Sequence, residues 1–351
     1  MTKSTVESSK YICIYPFSRM EANLTRFIPC CSAWLRLEFH QLDHGKDPWN
    51  GPAAQALREK ILNGDYSFCR REHCKPVLAQ IDRLNDSQEA YTETPISKEN
   101  QLAIERKNTY MPEGPGAISV RADPRCNLAC QSCRPTYIHT IPPNLELRLV
   151  GIERFMTRNR MNIRTTKLAG DGEVFFSKFL RKTLQNFSKE TFPNLTHLFI
   201  LSNGILCNQK NFDELRPGTN FIKKVSISVD AGSQEVYQKV RGGDWNKLIR
   251  NLTWLSKIRL EGRIEYLDIN FTTMADNFQT LPGFFELGRE LRVDQMIVNM
   301  LDNWPRMKIN DYSQQAIHQQ RHPMNSELEK ILSKYAMDKN ITLNINKESE
   351  S

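Results

Sequence analysis

The chain has 351 residues, 39% hydrophobic and 25% charged, a balance that suits a globular protein with room for one large domain and a small one. No apolar run is long enough to cross a bilayer, and the polar start, Met1–Lys10, lacks the apolar core of a secretory leader; a cytoplasmic protein without a membrane partner is expected. Lysine and arginine number 48 against 40 acidic residues, a formal charge of +8. The excess is spread along the chain with no dense basic block or zinc-finger spacing, so nucleic acid is not expected as a partner.

The first ten residues read as a frayed end, and Tyr11–Phe17 as a short strand interrupted by Pro16. Residues 27–39 include apolar side chains around a cysteine pair, and residues 45–52 form a turn. Pro52 opens a predicted helix with Leu57 and Ile61 four apart on one face, and Asn63-Gly64 supplies residues that tolerate a left-handed cap. Residues 78–116 are mainly polar and punctuated by proline and glycine, a connector with one helical stretch. From Ala117 the pattern changes. Strands are predicted over 117–121, 165–169, 196–201, 223–229, 264–271 and 295–300. Helices are predicted over 146–159, 175–188, 210–216, 233–240, 245–258, 277–290 and 324–336. Such alternation predicts parallel βα units, hence an α/β fold that is either an open doubly wound sheet or an incomplete barrel. In both, function gathers beyond the C-terminal ends of the strands. No internal repeat or low-complexity tract is present.

Nine cysteines are the informative feature. An odd number without a leader argues against a disulfide framework, and clustering suits soft metal centres in a reducing compartment. Cys13, Cys30, Cys31, Cys69 and Cys74 form one group, Cys126, Cys130 and Cys133 another, and Cys207 stands alone. The second group directly follows the first predicted strand of the alternating region. Three thiolates can hold three irons of a cubane and leave the fourth iron open to a ligand. A zinc site, with His139 as a further donor, is the quieter alternative.

Cys126-x3-Cys130-x2-Cys133, with Asn127-Leu128 between the first two cysteines, resembles the signature of the radical S-adenosylmethionine (SAM) superfamily. Ser132 stands where an aromatic is familiar. Ala169-Gly170-Asp171-Gly172-Glu173 resembles the glycine–glutamate motif; the resemblance implies that Gly170 and Gly172 let backbone approach the methionine end of SAM and that Glu173 receives its ammonium. Ser202-Asn203-Gly204, Ser226-Ile227-Ser228-Val229-Asp230, Val236–Gly243 and Asn270-Phe271-Thr272 follow in family order, with Asn277 at the start of the next helix. Asn203, Ser228, Asp230, Arg241 and Asn270 are thereby implied as further cofactor-binding residues. Taken alone each piece is weaker, since Asn-Gly often only ends a strand and Glu173 could cap a helix. The resemblance covers about residues 117–300 and implies a partial (β/α)6 TIM-like barrel.

Trp49-Asn50-Gly51-Pro52, continuing through Leu57-Arg58 to Cys69-x4-Cys74, is similar to the SPASM auxiliary-cluster domain, although that domain normally follows the barrel. The similarity implies a second [4Fe–4S] cluster on Cys13, Cys30, Cys69 and Cys74; a four-cysteine zinc site is the alternative. Cys31 is set apart from Cys30 because adjacent side chains diverge. The expected division is a SPASM-like domain over 1–84, a linker over 85–116, the radical SAM barrel over 117–304 and an α/β extension over 305–351.

The implied activity is reductive cleavage of SAM to a 5′-deoxyadenosyl radical, with an electron donor such as flavodoxin or ferredoxin, followed by hydrogen abstraction from a substrate. That substrate is a peptide or protein side chain undergoing oxidation, crosslinking or epimerisation, or alternatively a small molecule such as a sugar or cyclitol. A non-catalytic zinc-binding module is a third possibility. Cys31 or Cys207 could return a hydrogen atom in an epimerisation, and Tyr137, His139, His40 and Trp304 are candidate pocket residues.

Overall fold

A computed structural model describes residues 12–70, 74, 95–134, 136–169, 171–303 and 309–344. Tyr11, Gly170 and Trp304 lie outside the described residues. Among the described residues no helix is long and apolar enough to cross a membrane.

Among the described residues the fold is mixed α/β and centres on a nine-stranded, mostly parallel sheet. Its strands are β1 (Arg19–Asn23), β2 (Phe27–Ile28), β3 (Ala117–Arg121), β4 (Thr165–Leu168), β5 (His197–Ser202), β6 (Ile222–Ser228), β7 (Tyr266–Thr273), β8 (Gln295–Met300) and β9 (Ile341–Asn344). Their order is β2-β1-β3-β4-β5-β6-β7-β8-β9. The six predicted strands are present, and three further strands extend them. By contact the chain forms two compact units, one of Met1–Ala122, Leu147–Lys167 and Ser188–His197, the other of Asp123–Glu146, Leu168–Phe187 and Leu198–Ser351.

In the first unit β1 pairs antiparallel with β2 and parallel with β3, Glu21 standing opposite both Ile28 and Ser119. The Asn23 side chain closes the β1–β2 turn by accepting from the Thr25 and Arg26 N–H groups, each at 3.0 Å. The strand expected over Tyr11–Phe17 is not formed in its described part. Tyr15–Ser18 is a helical turn with Pro16 near its start, and the strand begins at Arg19. Proline fixes φ for a first helical turn and lacks the N–H a strand interior needs. The helix Pro52–Leu62 forms as predicted and ends at Asn63, followed by Gly64 at φ +73. The connector's helical stretch is Lys98–Glu105, capped by Ser97.

In the second unit β5 to β9 run parallel, neighbour to neighbour. Val225, Ile227, Ile269, Phe271 and Val298 are fully buried, as a parallel sheet covered by helices demands. The helix Gln234–Arg241 starts at the Ser233 cap and stops at Gly242, which takes the left-handed φ of +68. Two predicted helices start late for identifiable reasons. Ser177 caps the helix Lys178–Asn186, so that helix cannot begin at 175. Residues Phe278–Thr280 form a 3-10 turn, and the α-helix Leu281–Glu290 opens with Pro282 in its first turn.

Candidate active site

The three closely spaced cysteines lie on one loop of the second unit, held by its own backbone. Cys126 N–H donates to Ile138 O at 2.9 Å, and the Cys133 and Arg134 N–H groups both reach Cys130 O, at 2.9 and 3.0 Å. Gln131 N–H donates to Val240 O at 2.8 Å, tying the loop to the helix Gln234–Arg241. Asp123 braces the entry, accepting from Arg125 Nε at 2.9 Å and from the Ser177 hydroxyl. Cys126 and Cys130 are buried and Cys133 is half-buried.

Gly172 is required by this packing. A Cβ there would fall 2.2 Å from Asp123 O and 2.4 Å from Arg125 O, and the next residue, Glu173, donates its N–H to Arg125 O at 2.9 Å. The glycine–glutamate segment therefore lies directly on the cysteine loop's backbone. Gly170, the other glycine of the motif, is outside the described residues.

Glu173 is buried and well held. The Ser202 hydroxyl donates to its Oε1 at 2.8 Å, Asn203 N–H to its Oε2 at 2.7 Å, and Phe175 N–H to its Oε1 at 3.2 Å. Burial raises its carboxyl above the usual range, while the Asn203 and Ser202 bonds pull it back down. It does not cap the following helix, whose N-cap is Ser177. Asn203, at the end of β5, turns its amide to Asn127 Oδ1 at 2.9 Å and to Cys126 Sγ at 3.7 Å.

Around Cys130 the electrostatics are concentrated. Arg241 is buried, and its Nη1 donates to Asp230, whose other oxygen accepts Thr272 N–H at 2.7 Å. Asp230 adopts φ +56, a left-handed conformation uncommon outside glycine, and Asn277 holds its carbonyl at 2.9 Å. Burial pushes the Cys130 thiol up to about 11, and the adjacent Arg241 opposes that shift. Burial also raises Cys126, with the Glu173 carboxylate adding to it. Metal coordination displaces such thiol protons, and the guanidinium favours the resulting thiolate.

Ser228 ends β6 and stands in register with Asn270. The Asn270 amide donates to Ser226 Oγ at 2.6 Å and Asp268 Oδ1 at 2.9 Å. Its Oδ1 accepts from Asn299 at 3.5 Å, within a polar row that Asn344 continues onto β9.

One residue beside the site, Arg134, escaped the sequence reading. Arg134 donates to Pro124 O and Asp171 O and lies 3.3 Å from Cys133 Sγ through Nη2; its only signal was its place after the third cysteine. Tyr237 is fully buried, burial pushes its hydroxyl up to about 12, and both its hydroxyl and Arg241 Nε lack a hydrogen bond. Its signal was membership of the Val236–Gly243 stretch. Tyr137 and His139 stack on each other at 5.9 Å, and His139 meets the Phe176 ring at 5.5 Å. Cys207 is fully buried within electrostatic reach of Glu173.

In the first unit, Cys13, Cys30, Cys69 and Cys74 line one cavity, together with Leu57 and Ile61 of the helix Pro52–Leu62. Cys13 and Cys74 both act on the Cys30 thiol, which burial raises well above its ordinary value. Cys31 does not line the cavity; burial raises its thiol too, and Glu21 is the first charged group to act on it. His40 makes a ring contact with Phe39 and places Nε2 3.2 Å from Ser32 O.

Among the described residues no three His, Cys, Asp or Glu side chains are gathered as around a single ion. The donor chemistry fits an iron–sulfur group: soft thiols on one loop, a buried guanidinium beside one of them, and a glycine cradle against their backbone.

Residues 123–276 match the radical SAM superfamily model. The chain is 27% identical over 165 residues to FeMo cofactor biosynthesis protein NifB of Methanocaldococcus infernus, covering 43% of this chain and 51% of that protein. It is 22% identical over 197 residues to the probable GTP 3′,8-cyclase of Methanococcus aeolicus, covering 56% and 63%. The match thus spans about half to under two thirds of these relatives' length. Among solved structures, Streptococcus suis SuiB bound to S-adenosylmethionine is 12% identical with a TM-score of 0.46, covering 83% of this chain and 62% of SuiB. TYW1 with a lysine–pyruvate adduct bound is 19% identical with a TM-score of 0.41, covering 62% and 73%. The similarity to the radical SAM superfamily is thus carried by residues 123–276, the stretch that holds the cysteine loop, Glu173, Asn203, Asp230 and Arg241.

Proposed function

We propose that this chain cleaves SAM reductively at a cluster held by Cys126, Cys130 and Cys133 and abstracts a hydrogen atom from a peptide or protein side chain. A second cluster, on Cys13, Cys30, Cys69 and Cys74, takes part in the electron balance. The observation that carries the peptide reading is the convergence of those four cysteines on one buried cavity, which supports the resemblance to the auxiliary domain of peptide-modifying enzymes. The functional division follows: auxiliary domain over 1–84, linker over 85–116, barrel over 117–304 and extension over 305–351.

Cys126, Cys130 and Cys133 would hold a cluster with one open iron, which when bound and reduced would supply the electron for reductive cleavage of SAM. The chain's own residues have distinct tasks. The three thiolates ligate iron, and Asn203 steadies Cys126 by donating toward its sulfur. Glu173, fixed by Ser202 and Asn203, keeps lone pairs to accept the ammonium of SAM. Gly172 lets its segment pack on the carbonyls of Asp123 and Arg125, and the resemblance implies that Gly170 admits the cofactor's methionine end. Arg241 balances charge beside Cys130 while Asp230 locks it in place, and Ser228 at the end of β6 and Asn270 within β7 offer polar groups. Removal of a hydrogen atom, then of one electron and a proton, makes a net two-electron oxidation such as a dehydrogenation or a crosslink. Return of a hydrogen atom from a thiol makes an epimerisation instead. An external one-electron donor of the flavodoxin or ferredoxin kind supplies the reductant.

A second reading, radical chemistry on a small molecule such as a sugar or cyclitol, draws support from the relative named as a GTP 3′,8-cyclase. Anaerobic reconstitution tests both readings. Two clusters, about eight irons and eight sulfides per chain, with reductant-dependent 5′-deoxyadenosine, are expected. Zinc alone, with no inducible cluster, would sink the enzyme readings together.

A further inference from the structure

Arg134 directly follows the third cysteine of the loop and is buried, with 5% of its surface exposed. Its Nη1 donates to Pro124 O, ahead of the first cysteine, and its Nη2 donates to Asp171 O in the glycine–glutamate segment. The same guanidinium reaches Cys133 Sγ twice, from Nη2 at 3.3 Å and from Nε at 3.4 Å. One planar fork therefore ties together the start of the loop, its third sulfur and the segment that carries Glu173.

The charge on this fork sets it apart. Two other arginines stand at the loop, and each meets a carboxylate: Arg125 pairs with Asp123 at 2.5 Å, and Arg241 pairs with Asp230. Both oxygen partners of Arg134 are neutral carbonyls, and among the described residues no ion pair with a carboxylate includes it. Burial pulls its guanidinium down, but the three thiols, Cys133 first and then Cys126 and Cys130, outweigh burial and leave the group above its ordinary value.

A buried cation is costly unless something nearby carries the opposite charge. Here the loop's own sulfurs carry it. A [4Fe–4S] group on three thiolates is a monoanion when oxidised and a dianion after taking one electron from an external donor. A fixed cation against a ligand sulfur stabilises the dianion more than the monoanion, and N–H donation to that sulfur acts in the same direction.

We propose that Arg134 is the counter-charge of the cluster on Cys126, Cys130 and Cys133, and that it raises the reduction potential of that cluster. An external one-electron donor then reduces the cluster more readily. The proposal rests on the cluster reading above. Arg134 is a positioning residue, acting through the Cys133 sulfur.

The test is a potentiometric titration of the reconstituted full chain, followed by electron paramagnetic resonance. The cluster concerned is the one whose signal changes when SAM is added, which separates it from any cluster on the other four cysteines. Arg134→Gln removes the charge and keeps an N–H donor, whereas Arg134→Lys keeps the charge and gives up the fork. In Arg134→Gln the ratio of reduced to oxidised cluster at a fixed potential should fall at least about tenfold, ~59 mV for a one-electron couple. Arg134→Lys should stay within about threefold of wild type. An unshifted potential in Arg134→Gln overturns the proposal. So does an equal fall in both variants, which would mark the fork as a clasp whose charge is immaterial. Should Arg134→Gln fail to assemble the cluster, Arg134→Lys decides: assembly at a near-wild-type potential sustains the proposal, and failed assembly or a tenfold fall overturns it. A wild-type chain with no SAM-responsive cluster overturns the cluster reading, and this proposal falls with it.

Discussion

Cys126, Cys130 and Cys133 lie on one continuous loop, whereas Cys13, Cys30 and the Cys69–Cys74 pair come from three separate stretches of the chain and meet only through folding. The loop is braced from outside its own sequence: Gly172 lies against its carbonyls, Asn203 reaches Cys126, and Arg241 stands beside Cys130. The cavity has a mostly apolar wall, and the cation whose charge acts on its Cys30 is Arg19. A site that must admit a charged, polar cofactor needs donors and acceptors at its rim. A closed centre that only exchanges electrons needs burial and a balancing charge. The two sets differ in that sense, and variants can press on the difference.

The largest effect is expected at Cys130. On the proposed assignment Cys130→Ala would remove an iron ligand, so 5′-deoxyadenosine formation should drop by about a thousandfold or more while iron on the four-cysteine set would be retained. Anaerobic product quantification with iron analysis reads both quantities. Glu173→Gln keeps the shape but gives up the negative charge, and SAM affinity measured by calorimetry should weaken about ten- to a hundredfold. An unchanged affinity would show that the carboxylate only braces β5. Gly172→Ala forces a Cβ into the carbonyls of Asp123 and Arg125 and should cost about 1–3 kcal/mol in denaturant unfolding. The smallest effect is at Asp244, whose side chain accepts Lys247 N–H at 2.9 Å to cap the helix Trp245–Leu260. Asp244→Ala should cost about 1 kcal/mol and leave iron content untouched.

Much of this was legible in the sequence because the second unit's strands are short apolar runs and its helices carry visible caps. Val225, Ile227 and Ile269 announced β6 and β7, and Ser233 with Gly242 bracketed the helix between them. β1 was illegible for the opposite reason. It buries Glu21, an acid that makes sense only once Ser32 donates to it at 2.5 Å, and no apolar pattern marks such a strand. Within the site, residues that act through backbone or strand position, Gly172 and Asn203, could be read from motifs. Arg134 could not, because its partners, Pro124 O and Asp171 O, are set by the folded loop. Asp230 illustrates the middle case: its motif placed it at the end of β6, but only the structure shows its carboxylate divided between Arg241 and Thr272.

The most direct measurement is 5′-deoxyadenosine formation by reduced, reconstituted Cys74→Ala protein set against wild type. If the loop alone carries cofactor cleavage, the variant should lose about half its iron, retain SAM cleavage within roughly twofold of wild type, and fail to complete turnover of its substrate. A folded variant with the loop cluster intact but no 5′-deoxyadenosine would contradict the division of labour between the two cysteine sets.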